Sequence, residues 1–158
     1  MARLTPVFAA SRAVREYLEQ HYLPAAAAYS ERAANKGAVG RQVVDWRHEV
    51  EGKWGSLRFG DLRVETNADH HAFEVEIFLN DLDPDAVRVE LYADGNNGGD
   101  PVRQEMKWAR LLPGTPESCV YQATVPAARP AGDYTARVTP HCDGVAVPLE
   151  DARILWQR

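Results

Sequence analysis

Asp94, Asn96, Gly99 and Glu105 stand at the spacing of positions 1, 3, 6 and 12 of a calcium-binding EF-hand loop, where oxygen ligands and a turn glycine are required. Position 5 is Gly98, Pro101 interrupts the middle, and the flanking residues alternate as strands do. A glycine-rich hairpin connection accounts for them more simply. His70-His71 carries imidazole nitrogens beside Asp69, but neighbours on a strand point to opposite faces and cannot readily share one ion. A solvated turn before a strand is the reading there. His141-Cys142 meets the same obstacle as a Cys–His pair.

Asp81, Asp83 and Asp85 surround Pro84, and three clustered carboxylates suit acid–base work or cation binding. In a turn they more often cap the loop and keep a strand edge soluble. Phe78, Tyr92, Trp108 and Tyr121 interleave with polar positions and are candidates for a sugar-stacking platform; the alternative is that they cover one another or dock on another domain. No phosphate-cradling glycine loop, G-x-S-x-G elbow or H-E-x-x-H helix occurs. Lys36 and Lys107 lack the setting of a cofactor Schiff base, and Lys53 is of surface type. No catalytic, cofactor-binding or metal residue is therefore assigned.

Two kinds of element would have to position these groups. Ser11 can cap a helix whose apolar residues Val14, Tyr17, Leu18 and Tyr22 follow a near 3.6 period. Pro24 suits the first turn of a new, alanine-rich helix, which Gly37 and Gly40 interrupt. Val43, Trp46, Val50 and Trp54 then fall on one face of a third helical segment. That stripe, with Tyr17 and Tyr22, is expected to be core or an interdomain seam.

From Leu57 the period becomes two. Phe73, Val75, Ile77 and Leu79 alternate with polar neighbours, as do Val87, Val89 and Leu91. Leu57 and Phe59 are out of phase with Leu62 and Val64, which predicts a bulge or bend at Gly60-Asp61. Further strands are predicted at Gln104–Leu111, Cys119–Val125, Tyr134–Thr139 and Ala152–Trp156. Turn signals separate them, at Asp81–Pro84, Asn96–Gly99, Pro113-Gly114 and Arg129–Asp133. About seven short strands at this spacing point to an immunoglobulin-like antiparallel β-sandwich, with Gly132-Asp133-Tyr134 resembling a tyrosine corner. The expected fold is α+β: a helical segment, residues 1–54, packed on a sandwich at 55–158.

The net charge of −5 divides unevenly. The chain through Lys53 carries slightly more Lys and Arg than Asp and Glu, whereas the β half is clearly acidic. An acidic β half repels phosphate backbones, so nucleic acid is not an expected partner. No apolar run approaches the roughly 20 residues of a membrane span. Cys119 and Cys142, without a secretory leader, are expected to be free thiols in a reducing cytoplasm. Met1 to Ala10 holds no self-contained element and reads as the interior of a longer protein, so the chain is expected to be the tail of an enzyme.

The segment MARLTPVFAASRAVREYLEQHYLPAAAAYSERA, with its Phe8-x-x-x-Arg12-x-Val14-x-x-Tyr17 spacing and Tyr22-Leu23-Pro24, resembles the stretch closing the catalytic region of bacterial α-glucan (glycogen, starch or maltodextrin) phosphorylases. LNDLDPDAVRVELYADG (Leu79 to Gly95), GDYTARVTPH (Gly132 to His141) and ILWQR (Ile154 to Arg158) are similar to the C-terminal extension of a subgroup of that family. The resemblance implies a parent that transfers glucosyl units from α-1,4-glucan to phosphate with pyridoxal phosphate. It also implies that the cofactor lysine and glucose pocket lie upstream, so no site residue carries over. The expectation is a non-catalytic accessory region that braces or docks on upstream catalytic domains. The alternative is a glucan-binding module using exposed aromatics. An isolated chain with its apolar stripe uncovered is expected to dimerise.

Overall fold

The computed structural model describes residues 10–96, 99–112 and 115–158. Met1–Ala9, with Phe8, lie outside the described residues, as do Asn97-Gly98 of one expected turn and Pro113-Gly114 of another. Two compact units divide after Asp45.

In the first unit α1 (Ala10–Tyr17) runs through a π turn at Leu18–Tyr22 into α2 (Leu23–Lys53), whose last turns belong to the second unit. Pro24 stands in the first turn of α2, as expected, although α2 follows α1 through the π turn without a break. The Leu23 N–H donates to the Leu18 carbonyl, five residues back, and this wider turn admits the proline, which has no N–H and whose ring crowds the preceding turn. The real break falls at Ala34–Gly37, where Asn35 (φ 52°), Lys36 (φ 59°) and Gly37 (φ 75°) are left-handed. The Arg41 guanidinium closes it by donating to the Lys36 carbonyl at 2.7 Å. Val14, Tyr17, Leu18, Tyr22, Leu23 and Tyr29 are exposed.

The second unit begins with the end of α2. Val50 is fully buried, and Trp46 and Trp54 pack against the same core. The Trp46 indole N–H donates to the Ala86 carbonyl at 3.4 Å. Lys53 Nζ donates to Glu49 Oε1 (2.9 Å) and to the Asp81 carbonyl (2.7 Å). The helical spacing of Trp46, Val50 and Trp54 thus delivers one face to the sandwich.

Among the described residues eight strands follow: β1 (Arg58–Thr66), β2 (His70–Phe78), β3 (Val87–Ala93), β4 (Val102–Glu105), β5 (Lys107–Leu112), β6 (Thr115–Pro126), β7 (Thr135–Pro140) and β8 (Leu155–Trp156). They form two antiparallel four-stranded sheets, ordered β1-β2-β6-β5 and β4-β3-β7-β8. Inward residues of β2 (Phe73, Val75, Ile77), of β3 (Val87, Val89, Leu91) and of β7 (Ala136, Val138) share one core. Phe73 meets Tyr134 edge-on across it, ring centroids 5.7 Å apart.

The bulge predicted at Gly60-Asp61 is present, as a register shift between Phe59 and Leu62. The Asp61 N–H donates to Glu76 Oε2 at 3.3 Å, and a Cβ on Gly60 would lie 2.6 Å from that carboxylate. The strand predicted at Gln104–Leu111 is two strands in different sheets. Met106, nearly fully buried, is the crossing point, and its N–H donates to the Val89 carbonyl at 2.8 Å. Its apolar side chain enters the core while the chain changes sheet, so one unbroken alternation spans two elements. Ala152–Trp156 contributes only Leu155–Trp156 as strand. At the expected tyrosine corner Tyr134 is buried, its ring meeting Phe73 and, at 5.7 Å, the Arg129 guanidinium. The Tyr134 N–H donates to the Ala131 carbonyl and the Asp133 N–H to the Pro130 carbonyl there.

Among the described residues no helix is long and apolar enough to cross a membrane.

Candidate functional site

The turn clusters are occupied with holding the backbone. Asp83 Oδ1 accepts the Asp85 N–H at 2.9 Å and caps a 3₁₀ turn at Pro84–Ala86. Asp81 contributes its carbonyl to Lys53. The buried His71 bridges Thr66 Oγ1 (2.8 Å) and the Arg129 carbonyl (2.9 Å), while the outward His70 meets the Asn67 side chain at 2.9 Å. The two imidazoles diverge, as strand geometry requires. Asp94 accepts the Tyr92 hydroxyl proton at 3.0 Å, and its carbonyl accepts from Arg129 at 2.9 Å. Gly99 donates its N–H to the Asn96 carbonyl, a hairpin-type closure. Among the described residues no three His, Cys, Asp or Glu side chains gather as a metal would need. Cys119, buried, and Cys142, half-buried, are not joined in a disulfide.

The outward face of the first sheet is a polar lattice. Arg110 donates two bonds to the Glu74 carboxylate, at 2.7 and 3.1 Å, and Gln122 Nε2 adds a third at 2.8 Å. These donors hold the Glu74 carboxyl below its ordinary range, hydrogen bonding from Arg110 being the largest cause.

The outward face of the second sheet carries a cation between two rings. The Arg137 guanidinium lies 4.4 Å from the Tyr92 ring centroid and 5.2 Å from that of Trp156, and its Nη2 reaches Glu90 Oε1 at 2.5 Å. Tyr92 and Trp156 are edge-on at 5.5 Å. The Tyr92 hydroxyl proton, engaged by Asp94, is held above the ordinary phenol range. Next to this cluster a cavity of about 400 Å³ lies under the segment after β7, lined by Arg88, Arg103, His141 and Val145 among others.

The largest of the described cavities, about 720 Å³, opens where β5 at the edge of one sheet faces β3 and β4 of the other. Its walls include Trp108, Leu111, Met106 and Tyr121, with Asp85 and Arg88 at the rim. Trp108 and Tyr121 are register partners on β5 and β6. Tyr121 also pairs with Val75, which is fully buried, so both aromatics belong to the inward side of the sheet. Trp108 is nevertheless 54% exposed, because β5 is an edge strand and nothing described covers its ring. The Tyr121 hydroxyl is buried without a hydrogen-bond partner. Burial, then the negative charge of neighbouring Cys119, Asp85 and Asp83, raises its phenol far above the ordinary value. Burial likewise pushes the Cys119 thiol up, against a hydrogen-bonding contact from the Trp108 side chain.

The four aromatics singled out from the sequence therefore do not make one platform. Phe78 is covered by the Arg58 guanidinium at 4.1 Å, and Tyr92 by Arg137. Tyr121 is a correction: it alternates with polar residues, yet it faces the core. Trp108 alone of the four presents an open ring. Sequence reasoning missed Met106 and the cavity, because two strands merged in one alternating run hide the change of sheet. It also missed Arg137 and Trp156; an Arg in a strand pattern opposite a late Trp was the available signal.

Residues 54–158 match the family model described as glycogen phosphorylase C-terminal domain. Glycogen phosphorylase of Mycobacterium tuberculosis (strain CDC 1551 / Oshkosh) is 29% identical over 147 residues, covering 87% of this chain and 17% of the relative. Glycogen phosphorylase of Mycobacterium bovis matches to the same extent. Maltodextrin phosphorylase of Thermococcus litoralis is 26% identical over 162 residues, covering 98% of this chain and 19% of the relative. The chain thus spans less than a fifth of the length of these curated relatives.

Proposed function

The chain belongs to the glycogen phosphorylase C-terminal domain family, and from that membership we propose that it is a non-catalytic accessory region of an α-glucan phosphorylase, a brace or docking domain for the catalytic part. The parent reaction in this reading moves a glucosyl unit from an α-1,4-glucan to phosphate, in the cytoplasm. The catalytic domains are its partner.

The observation that carries the reading is the apolar helix surface of the first unit. Val14, Tyr17, Leu18 and Tyr22 recur at helical spacing and are all exposed. A face of this composition is suited to burial against another protein surface. In the second unit the end of α2 is already seated on the sandwich through Trp46 and Val50.

Pyridoxal phosphate, implied by the family, does not fit the residues present. Lys53 is tied to Glu49 and the Asp81 carbonyl, Lys36 sits exposed at the helix break, and Lys107 is exposed on an edge strand. None stands in an enclosed pocket beside a phosphate cradle, and no step is derived through the cofactor.

The test removes the matching 147 residues from the Mycobacterium tuberculosis relative and adds this chain in trans. The expected result is a complex in analytical ultracentrifugation, with a higher melting temperature for the truncated enzyme. A chain that neither associates nor stabilises would overturn the bracing role.

A second reading, a glucan-holding module, is favoured by one feature: the open Trp108 ring at the edge of a cavity.

A further inference from the structure

The cavity of about 400 Å³ on the outward side of the second sheet has walls of two kinds. One is charged: Arg88 and Glu90 come from β3, Arg103 from β4 and Arg137 from β7. The other is apolar, with Val145, Val147 and Pro148 from the segment after β7 and Ile154 from just before β8. Hydrogen bonds within that segment hold it in place. The Val145 N–H donates to the Cys142 carbonyl at 3.1 Å, the Ala146 N–H to Glu150 Oε1 at 3.0 Å, and the Glu150 N–H to the Ala146 carbonyl at 2.7 Å. The space is thus formed before anything enters it, within the roughly 300–1,000 Å³ of small-molecule sites.

Its charges do not cancel. The guanidiniums of Arg88, Arg103 and Arg137 stand against only the carboxylates of Glu90 and Asp143. Glu90 is engaged by Arg137 at 2.5 Å, and both side chains are close to nine-tenths buried. Asp143 is fully exposed to solvent. Arg88 is partly engaged, its Nε 3.6 Å from Glu105 Oε2 and its Nη2 3.2 Å from His141 Nδ1. A guanidinium can only donate, so His141 Nδ1 accepts and the neutral ring keeps its proton on Nε2, a further donor at the wall. Arg103 is exposed, and among the described residues it makes no hydrogen bond or ion pair.

One uncompensated positive charge suits one negative charge, whereas a dianion would crowd the buried Glu90 carboxylate. A planar carboxylate matches the fork of a guanidinium. The apolar wall suits an aliphatic body attached to it. We propose that this cavity binds a small aliphatic monocarboxylate, its carboxylate held by Arg103 and Arg88 and its hydrocarbon body lying on Val145 and Ile154.

The test follows the amide and guanidinium NMR signals of the full chain titrated with hexanoate, butyrate, hexanamide and inorganic phosphate. Hexanoate is expected to give saturable shifts centred on Arg103 and the segment after β7, with a Kd of about 1 mM or below. Butyrate, shorter by two methylenes, is expected to bind about tenfold more weakly, and Val145→Ser to narrow that difference. Hexanamide and phosphate are each expected to bind at least about tenfold more weakly than hexanoate. Arg103→Ala is expected to weaken hexanoate about tenfold, the worth of a charge-assisted hydrogen bond. Arg63→Ala, which takes the same charge from the other sheet, is expected to leave it unchanged. Because Arg103 is exposed and unpaired, its substitution is expected to keep the melting temperature, and Arg103→Gln replaces Arg103→Ala if that variant fails to fold.

An absence of saturable shifts up to about 20 mM hexanoate would overturn the proposal. Equal binding of hexanamide would do the same, as would an Arg63→Ala effect as large as that of Arg103→Ala. Phosphate binding more tightly than hexanoate would overturn the monocarboxylate class. An N-acetylated peptide ending in leucine that bound more tightly than hexanoate would make the cavity a seat for a chain end and overturn the small-molecule assignment.

Discussion

Trp108 and Tyr121 stand opposite one another on β5 and β6 and share one side of the sheet, yet one ring is half in solvent and the other is enclosed. The difference comes from position across the sheet. β6 has a neighbour on both sides and lies under the opposing sheet, whereas β5 is an edge strand from which nothing continues. The open wall and the buried hydroxyl of the cavity both follow from that pairing.

Burial of Arg137 and Glu90 makes their ion pair more consequential than the surface ones. Arg137 is 8% exposed, and its guanidinium also packs on Tyr92 and Trp156. Arg137→Ala strands the Glu90 charge and removes the filling between two rings. A loss of about 3 kcal/mol is expected in urea unfolding, with Arg137→Lys only partly restoring it, since an ammonium does not stack as a planar guanidinium does.

Val50→Ala is expected to cost about 2 kcal/mol, the lost methyl groups plus the cavity left behind. Val50 is fully buried where the end of α2 meets the sandwich. Far-ultraviolet and tryptophan-fluorescence melts should shift down together, because Trp46 and Trp54 sit in the same core. A shift confined to the helical signal would show that the helix end contributes nothing to the sandwich.

Gly60→Ala is expected to cost about 1 kcal/mol. Its Cβ would approach the Glu76 carboxylate to 2.6 Å, and that carboxylate also accepts from Ser118 Oγ at 2.8 Å. The carboxylate must move and give up bonds that hold the bulge. Gly60→Ala/Glu76→Ala measured as a cycle should recover most of the steric part.

Glu74 ties stability to acid pH. Its folded carboxyl is held below the ordinary 4.5, chiefly by Arg110. The folded chain therefore binds this proton more weakly than the unfolded chain does. Its contribution is present in full above the unfolded value and is lost as pH falls through the folded one. Glu74→Gln should lower the melting temperature modestly near neutrality, where the carboxylate contributes, and flatten its fall below about pH 4.5, where that contribution is lost in the parent chain as well.

Tyr121 has the opposite edge. Its phenol is raised in the folded chain by burial, so the unfolded chain releases this proton first as pH climbs through the ordinary value of 10. Stability is unaffected below that value and is lost above it. Ultraviolet titration should show one tyrosine ionising only with unfolding, and Tyr121→Phe should remove that step.

Much of this chain is legible without coordinates because burial on one face of a strand writes itself into alternation. Phe73, Val75 and Ile77 announce β2, and the phase slip between Phe59 and Leu62 announces the bulge. The helical spacing of Trp46, Val50 and Trp54 likewise marks a buried face. The resemblance to phosphorylases, carried by phrases such as Leu79 to Gly95, also lay in the sequence, since it needs only residue identity and order.

What the sequence did not decide depends on which strands become neighbours. Alternation states that a residue has an inside and an outside, but not which sheet it joins or whether that sheet continues beyond it. Gln104–Leu111 reads as one strand because burying Met106 keeps the period of two across a change of sheet. Tyr121 reads as a surface aromatic because its polar neighbours, Gln122 among them, face outward on the same strand. Trp108 and Tyr121 have the same pattern in sequence, and only the pairing of β5 at a sheet edge and β6 within the sheet separates them. That pairing is a non-local outcome of packing two sheets over one core, so the open ring, the unpaired hydroxyl and the space between them exist only in the tertiary structure.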